Sequence, residues 1–217
     1  MPVTFVFIHG WGFDAGFWDP LCARLPQYPQ QRIDLGFFGA PSEKTEDESF
    51  SPRVLVGHSL GFVHGIKQGQ DWSGWIAING FSRFVKTPTR EGCVTEANLR
   101  EMRMRLQNNP AKTLQDFYRT TGTAPCARAP NPDRLRKGLD ELRDIDVSDV
   151  LAALDVPGLA LAGADDPLVP LTASEALGRM AKRGGLMLKD KAGHLLPQTD
   201  PAWCAKTIAD FINANFG

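Results

Sequence analysis

Arg53-Val54-Leu55-Val56-Gly57-His58-Ser59-Leu60-Gly61 joins a short, apolar, β-branched run to a serine with a glycine two residues away on either side. The run reads as a buried strand. A strand that breaks sharply at Gly-x-Ser-x-Gly is a nucleophile elbow, whose strained backbone pushes the serine hydroxyl out above the sheet edge. Glycine is needed at both flanks because a Cβ there would strike the following helix or a neighbouring strand. The competing reading is a loop that happens to carry the pattern. The strand before it favours the elbow.

A serine hydroxyl is a weak nucleophile at neutral pH and needs an imidazole beside it, itself held by a carboxylate. On such a scaffold the chain order is serine, acid, histidine. Four histidines are available. His9 and His58 sit in glycine-flanked turns, where they shape loops, and His64 lies in the helix after the elbow, pointing away from Ser59. His194 stands alone in Lys191-Ala192-Gly193-His194-Leu195-Leu196-Pro197, past the last strand and before the last helix. It is the expected base. The acid is expected after the preceding strand, where Gly163-Ala164-Asp165-Asp166-Pro167-Leu168-Val169-Pro170 offers two carboxylates. One could simply cap the following turn; the frame Gly-x-x-Asp-x-x-Val-Pro selects Asp166. No carboxylate follows the earlier strand, where Asn79 stands. An oxyanion needs two backbone donors. Leu60 N–H, directly after the nucleophile, is one, and Trp11 N–H in His9-Gly10-Trp11-Gly12 is the other. The Trp11 ring either walls an acyl pocket or packs in the core.

The rest of the chain agrees with an α/β architecture. Val3–Ile8, Gln31–Leu35, Trp75–Ile78, Gly158–Ala162 and Gly185–Leu188 read as further strands. Helices are expected over Trp18–Leu25, Leu60–Lys67, Thr172–Ala181 and Pro201–Phe216. Alternating strands and helices give a mostly parallel sheet flanked by helices on both faces. Between Phe81 and Val150 the strand signal disappears. Leu99, Met102, Leu106 and then Leu114, Phe117, Tyr118 recur at helical spacing, punctuated by Asn109-Pro110 and Thr121-Gly122. Residues 81–150 therefore read as an all-helical cap inserted before the acid-bearing strand, with 1–80 and 151–217 forming the core. Residues 42–51 are polar, acidic and read as an exposed loop.

At 217 residues the chain can bury one full core without disulfides or metal. Cys22, Cys93, Cys126 and Cys204 are widely spaced, which points to free thiols in a reducing cytoplasm. No apolar run reaches membrane-span length, and no basic region precedes Val3, so neither a signal peptide nor a membrane anchor is expected. Neither metal-ligand spacing nor a phosphate loop appears, so no cofactor, metal or nucleic acid is expected, and a monomer is the default. Net charge is −1, yet residues 81–143 carry 13 Lys and Arg against 7 Asp and Glu. A basic middle can recruit an acidic partner.

Together these residues resemble the α/β-hydrolase superfamily over nearly the full length. A narrower resemblance lies in His9-Gly10-Trp11-Gly12-Phe13-Asp14-Ala15-Gly16-Phe17-Trp18, in Met104-Arg105-Leu106…Pro110…Thr113-Leu114-Gln115-Asp116-Phe117-Tyr118, and in Gly138-Leu139-Asp140-Glu141-Leu142…Asp146-Val147. These are similar to the carboxylesterases that cleave pimeloyl-[acyl-carrier protein] methyl ester in biotin synthesis. The resemblance implies catalytic Ser59, Asp166 and His194, oxyanion donors Trp11 and Leu60, and an acyl methyl ester as substrate. It also implies an acyl-carrier protein docked by cap arginines, here Arg100, Arg103, Arg105 and Arg119. One departure is the region between the Gly36/Gly39 loop and the elbow strand: the family often has a helix there, and this chain has the acidic 42–51 stretch. The motifs recur in hydrolases of other substrates. A general short-chain esterase, lactonase or thioesterase therefore stays open, as does a non-catalytic ligand receptor on the same fold.

Overall fold

A computed structural model of the protein describes residues 3–42, 52–69 and 71–217. Among them, β1 (Thr4–Ile8), β2 (Gln30–Ile33), β3 (Arg53–His58), β4 (Gly74–Ile78), β5 (Gly158–Gly163) and β6 (Gly185–Lys189) form one sheet, in the order β2-β1-β3-β4-β5-β6. Every neighbouring pair is parallel. β1, β4 and β5 are buried along their whole length, which is why they read as continuous apolar runs rather than alternating ones. β2 is shorter at its end than the expected strand. Asp34 leaves the ladder because its carboxylate takes the amides of Ala15 and Gly36.

Helices α1 (Asp19–Cys22) and α2 (Leu60–Lys67) belong to the first half of the core, and α7 (Leu171–Met180), α8 (Leu196–Thr199) and α9 (Pro201–Phe216) to the second. The helix expected over Trp18–Leu25 is reduced to α1, preceded by a 3₁₀ turn at Ala15–Trp18 that the Asp14 side chain caps through Gly16 N–H. Phe5, Phe7, Trp18, Phe62 and Trp75 lie fully buried between sheet and helices.

Between β4 and β5 run α3 (Glu96–Asn108), α4 (Pro110–Thr121), α5 (Pro132–Asp144) and α6 (Ser148–Ala153). The first two stop and start where Asn109-Pro110 and Gly122 predict. The Asn109 carboxamide caps α4 through Lys112 N–H, and Gly122 ends it in the left-handed region at φ 76°. α5 is an addition to the expected pair, with Leu135, Leu139 and Leu142 buried on one face, and α6 crosses residue 150. Of the expected 42–51 loop, residues 43–51 lie outside the described residues. None of the described helices is long and apolar enough to cross a membrane.

The chain goes from β1 outward to β2, then returns past β1 to β3. Connections diverge at that point, so a crevice opens beyond the carboxyl ends of β1 and β3, the usual ligand position in an open parallel sheet. His9-Gly10-Trp11 leaves β1 there, and Ser59 leaves β3.

Candidate active site

Ser59 joins β3 to α2 at φ 52° and ψ −124°, a conformation that a residue with a Cβ rarely adopts. The turn is held from both sides: Ser59 N–H donates to Ile78 O of β4 at 3.2 Å, and Phe62 N–H donates to Ser59 O at 3.1 Å. Its glycines are sterically compulsory. A Cβ on Gly57 would lie 2.3 Å from Phe62 Cα, and one on Gly61 would lie 2.1 Å from Ile8 O. The elbow expected from Gly-x-Ser-x-Gly is therefore the observed geometry. Leu60 is the first residue of α2, so its N–H has no intrahelical acceptor.

Asp166 and His194 meet although 28 residues separate them. His194 Nδ1 lies 2.8 Å from Asp166 Oδ2, and both side chains are about 1% exposed. The other carboxylate oxygen, Oδ1, accepts the amides of Leu168 at 2.8 Å and Val169 at 3.0 Å. Burial opposes ionisation of this carboxyl, but hydrogen bonding to His194 and to the two amides outweighs burial and lowers its pKa. An ionised Asp166 fixes the His194 tautomer with the proton on Nδ1 and leaves Nε2 free to accept one. Asp165 is exposed and takes no part.

His58, the residue before Ser59, stitches the elbow to the His194 loop. Its Nε2–H donates to the His194 carbonyl at 2.8 Å, and the two rings stand 4.8 Å apart. Burial, followed by the charge of His194, pushes the His58 pKa well below its ordinary value, so this imidazole is neutral. His9 is equally structural: Nδ1 donates to Gly10 O at 2.9 Å, and Nε2 accepts Leu35 N–H at 3.0 Å. His64 points elsewhere and pairs with Glu141 of α5 at 2.7 Å.

The turn after β1 is anchored by the inserted helices. Trp11 Nε1–H donates to Leu135 O of α5 at 2.9 Å, and its ring meets the edge of Phe117 at 5.0 Å. Tyr118 O–H of α4 donates to Gly12 O at 2.6 Å. The Trp11 ring thus packs at the junction of core and insert. A cavity of about 210 Å³ opens beside it, lined by Met102, Arg105, Thr113, Phe117 and Leu168 among others. Leu168 belongs to the loop that carries Asp166, although none of Ser59, Asp166 and His194 lines the cavity, and Glu101 and Asp116 do.

The four arginines differ. Arg103 is half-buried and pairs with Asp140 of α5. Arg105 pairs with Glu101 at 2.5 Å and Arg119 with Asp116 at 3.1 Å, both on the surface. Arg100 is exposed.

In the sequence Asn79 reads only as a vacant acid position; in the structure its amide donates to Asp166 Oδ2 at 2.8 Å. The role of Tyr118 could not be read from its spacing, which marks it only as a core residue.

No protein-family model matches the chain. It is 26% identical over 216 residues to the pimeloyl-[acyl-carrier protein] methyl ester esterase of Legionella pneumophila strain Corby, covering 90% of each chain. It is 25% identical over 234 residues to the biotin biosynthesis bifunctional protein BioHC of Cellvibrio japonicus, where it covers 95% of itself but spans only 47% of that longer protein. Among solved structures, the bromoperoxidase of Bacillus anthracis superposes with a TM-score of 0.83 at 18% identity, over 98% of this chain and 92% of that one.

Proposed function

We propose that this chain, whose fold is that of the α/β-hydrolase superfamily, is a carboxylic ester hydrolase working through an acyl-enzyme on Ser59. The observation that carries the reading is the strained serine at the strand–helix turn, whose neighbour His58 bonds the loop bearing a histidine held by a buried carboxylate. A structural serine has no reason to adopt φ 52°, and a structural His–Asp pair has no need of burial in the loops after β5 and β6.

In this reading His194 Nε2 takes the Ser59 proton as Oγ attacks the ester carbonyl. The oxyanion is held by the amides of Leu60 and Trp11. His194 then gives its proton to the departing alkoxide, which leaves as the alcohol. Water, deprotonated by the same nitrogen, attacks the acyl-enzyme and releases the carboxylic acid. Asp166 remains ionised throughout and stabilises the imidazolium. No metal or cofactor enters these steps. The four cysteines are free thiols, and the proposed working compartment is the cytoplasm.

The proposed substrate is the pimeloyl-[acyl-carrier protein] methyl ester of the curated relatives. The apolar cavity beside Phe117 and Leu168 would take the acyl chain, and the acidic carrier would meet Arg100, Arg105 and Arg119. Arg103 is left out of the docking set because it is half-buried against Asp140 of α5, whereas Arg105 and Arg119 meet their acidic partners at the exposed surface. The test compares hydrolysis of the carrier-bound methyl ester with that of the free pimelate methyl ester and of short p-nitrophenyl esters. A preference for the carrier-bound ester that fades as salt rises supports the assignment. Equal turnover of free and carrier-bound esters would leave the esterase and remove the carrier, the outcome expected of a general short-chain esterase.

A further inference from the structure

Asn79 closes β4 at the point where the acid loop and the His194 loop converge. Its backbone is left-handed at φ 47°, which asparagine, aspartate and glycine tolerate best. Its N–H donates to Leu161 O at 2.7 Å, so the residue is tied to β5, the strand that leads into the acid loop. The side-chain amide sends its Nδ2 hydrogens to two acceptors, Asp166 Oδ2 at 2.8 Å and Gly193 O at 3.2 Å. The amide can face only one way, because both atoms opposite Nδ2 are acceptors. The cost is visible at its other end, where Oδ1 is buried without a hydrogen-bond partner. An unpaired buried carbonyl is unfavourable, and it persists here because the paired end is needed.

We infer that Asn79 is a positioning residue, clamping the Asp166 carboxylate and the backbone before His194 in register and moderating the carboxylate's pull on the imidazole. This rests on the Ser59–His194–Asp166 reading above. Asp166 Oδ2 accepts two donors at once, Asn79 Nδ2–H and His194 Nδ1–H, each at 2.8 Å. A carboxylate oxygen shared with an amide is a weaker acceptor for the imidazole than one left to it alone, so the amide sets how tightly His194 holds a proton. The other titratable groups facing Asp166 are His58 on the elbow and Cys93 on the segment before α3. Neither bonds Asn79, so substitution at 79 leaves both in place.

Two variants test this. Asn79→Asp keeps the size and tolerates the backbone conformation, but can donate to Asp166 only while protonated. A carboxyl 3 Å or so from another ionises with difficulty, so the variant should work near its wild-type rate at about pH 5. It should then lose activity as pH rises and the two carboxylates repel, adding a descending limb that the wild type lacks. Asn79→Ala removes both hydrogen bonds. Its kcat should fall roughly tenfold to a hundredfold with KM little changed. The ascending limb, set by His194, should move to higher pH, because the imidazole gains an unshared carboxylate.

The readouts are kcat/KM for a short methyl ester across pH and the His194 imidazole titration followed by NMR, with thermal midpoints at low pH as the control for folding. A wild-type pH profile and wild-type kcat in both variants would overturn the clamp while leaving the esterase intact. If Asn79→Ala does not fold, Asn79→Asp alone decides: a rate that climbs with pH as in the wild type refutes the inference. Failure of the parent reading looks different. There the wild-type protein itself would hydrolyse no ester and carry no label on Ser59 with a fluorophosphonate.

Discussion

At Ser59 the backbone is held where a β-carbon clashes with its own carbonyl neighbours, at a cost of roughly 1–2 kcal/mol. The surroundings impose that cost: Gly57 and Gly61 cannot carry a Cβ, and Ile78 O and Phe62 N–H grip the turn from opposite sides. Ser59→Gly should therefore unfold at a higher denaturant concentration than Ser59→Ala, by about 1 kcal/mol in urea titrations, since both lack the hydroxyl and only glycine relieves the strain. Equal stability of the two would mean that the turn is relaxed. The choice of Asp166 over Asp165 was legible because the acid needs a fixed offset from Val169-Pro170, and the amides that bind Oδ1 come from that same turn. Asn79 was not legible. Its partners lie 87 and 114 residues further along the chain, and only strand order brings them together.

At the scale of elements, the inserted helices are built into the sheet core rather than laid over it. α4 holds Gly12 O through Tyr118, and α5 holds the Trp11 indole through Leu135 O. Tyr118→Phe would leave a buried carbonyl unpaired, which costs about 1–3 kcal/mol. We expect a lower thermal midpoint and a larger drop in kcat than in KM, because the turn it steadies supplies the proposed Trp11 donor. An unchanged kcat would show that the turn holds its shape without α4. The arginines separate in the same way. Arg103→Ala should lower stability by about 1 kcal/mol by cutting α3 from α5, whereas alanine at Arg100, Arg105 and Arg119 together should leave unfolding unchanged. That triple variant should lose only the salt-sensitive rate on a carrier-bound ester. α3 and α4 were readable from their apolar spacing. α5 carried the same signals, an Asn-Pro start and Leu135, Gly138, Leu139, Leu142 on one face, but charged residues at most other positions thin that face to a narrow stripe. The bonds from these helices to the turn after β1 have no local signature, since each joins residues more than 100 apart.

Across the whole molecule, burial of polar groups around the crevice sets an acid response. His58 is neutral in the fold and charged when unfolded below its ordinary value of 6.5. The unfolded chain then binds more protons, so stability falls as pH drops through that point, by up to about 1.4 kcal/mol per pH unit for one group. Asp34 acts lower down. Burial works against its carboxylate, yet the neighbouring His9 ring and hydrogen bonds from Gly36 N–H and Ala15 N–H bring its pKa to about 2 from 3.8. Its contribution, about 2 kcal/mol, is complete above 3.8 and disappears as pH falls towards 2. Urea titrations from neutral pH downward should show one loss beginning near 6.5 and a second below 3.8. Asp34→Asn should abolish the second in part while lowering stability at neutral pH. A flat profile down to pH 4 would contradict the burial of a neutral His58. The parallel sheet that brings these groups together was the most legible level of all, because strands buried on both faces show as unbroken apolar runs.

The central claim is that the hydroxyl of Ser59 is made nucleophilic by His194, which Asp166 orients. It is tested most directly by treating the protein with a fluorophosphonate and locating the adduct by peptide mass spectrometry. One phosphonyl group on Ser59 is predicted, formed at least about a thousandfold more slowly in His194→Ala. An adduct on any other residue, or labelling of Ser59 at the same rate without the imidazole, would contradict it.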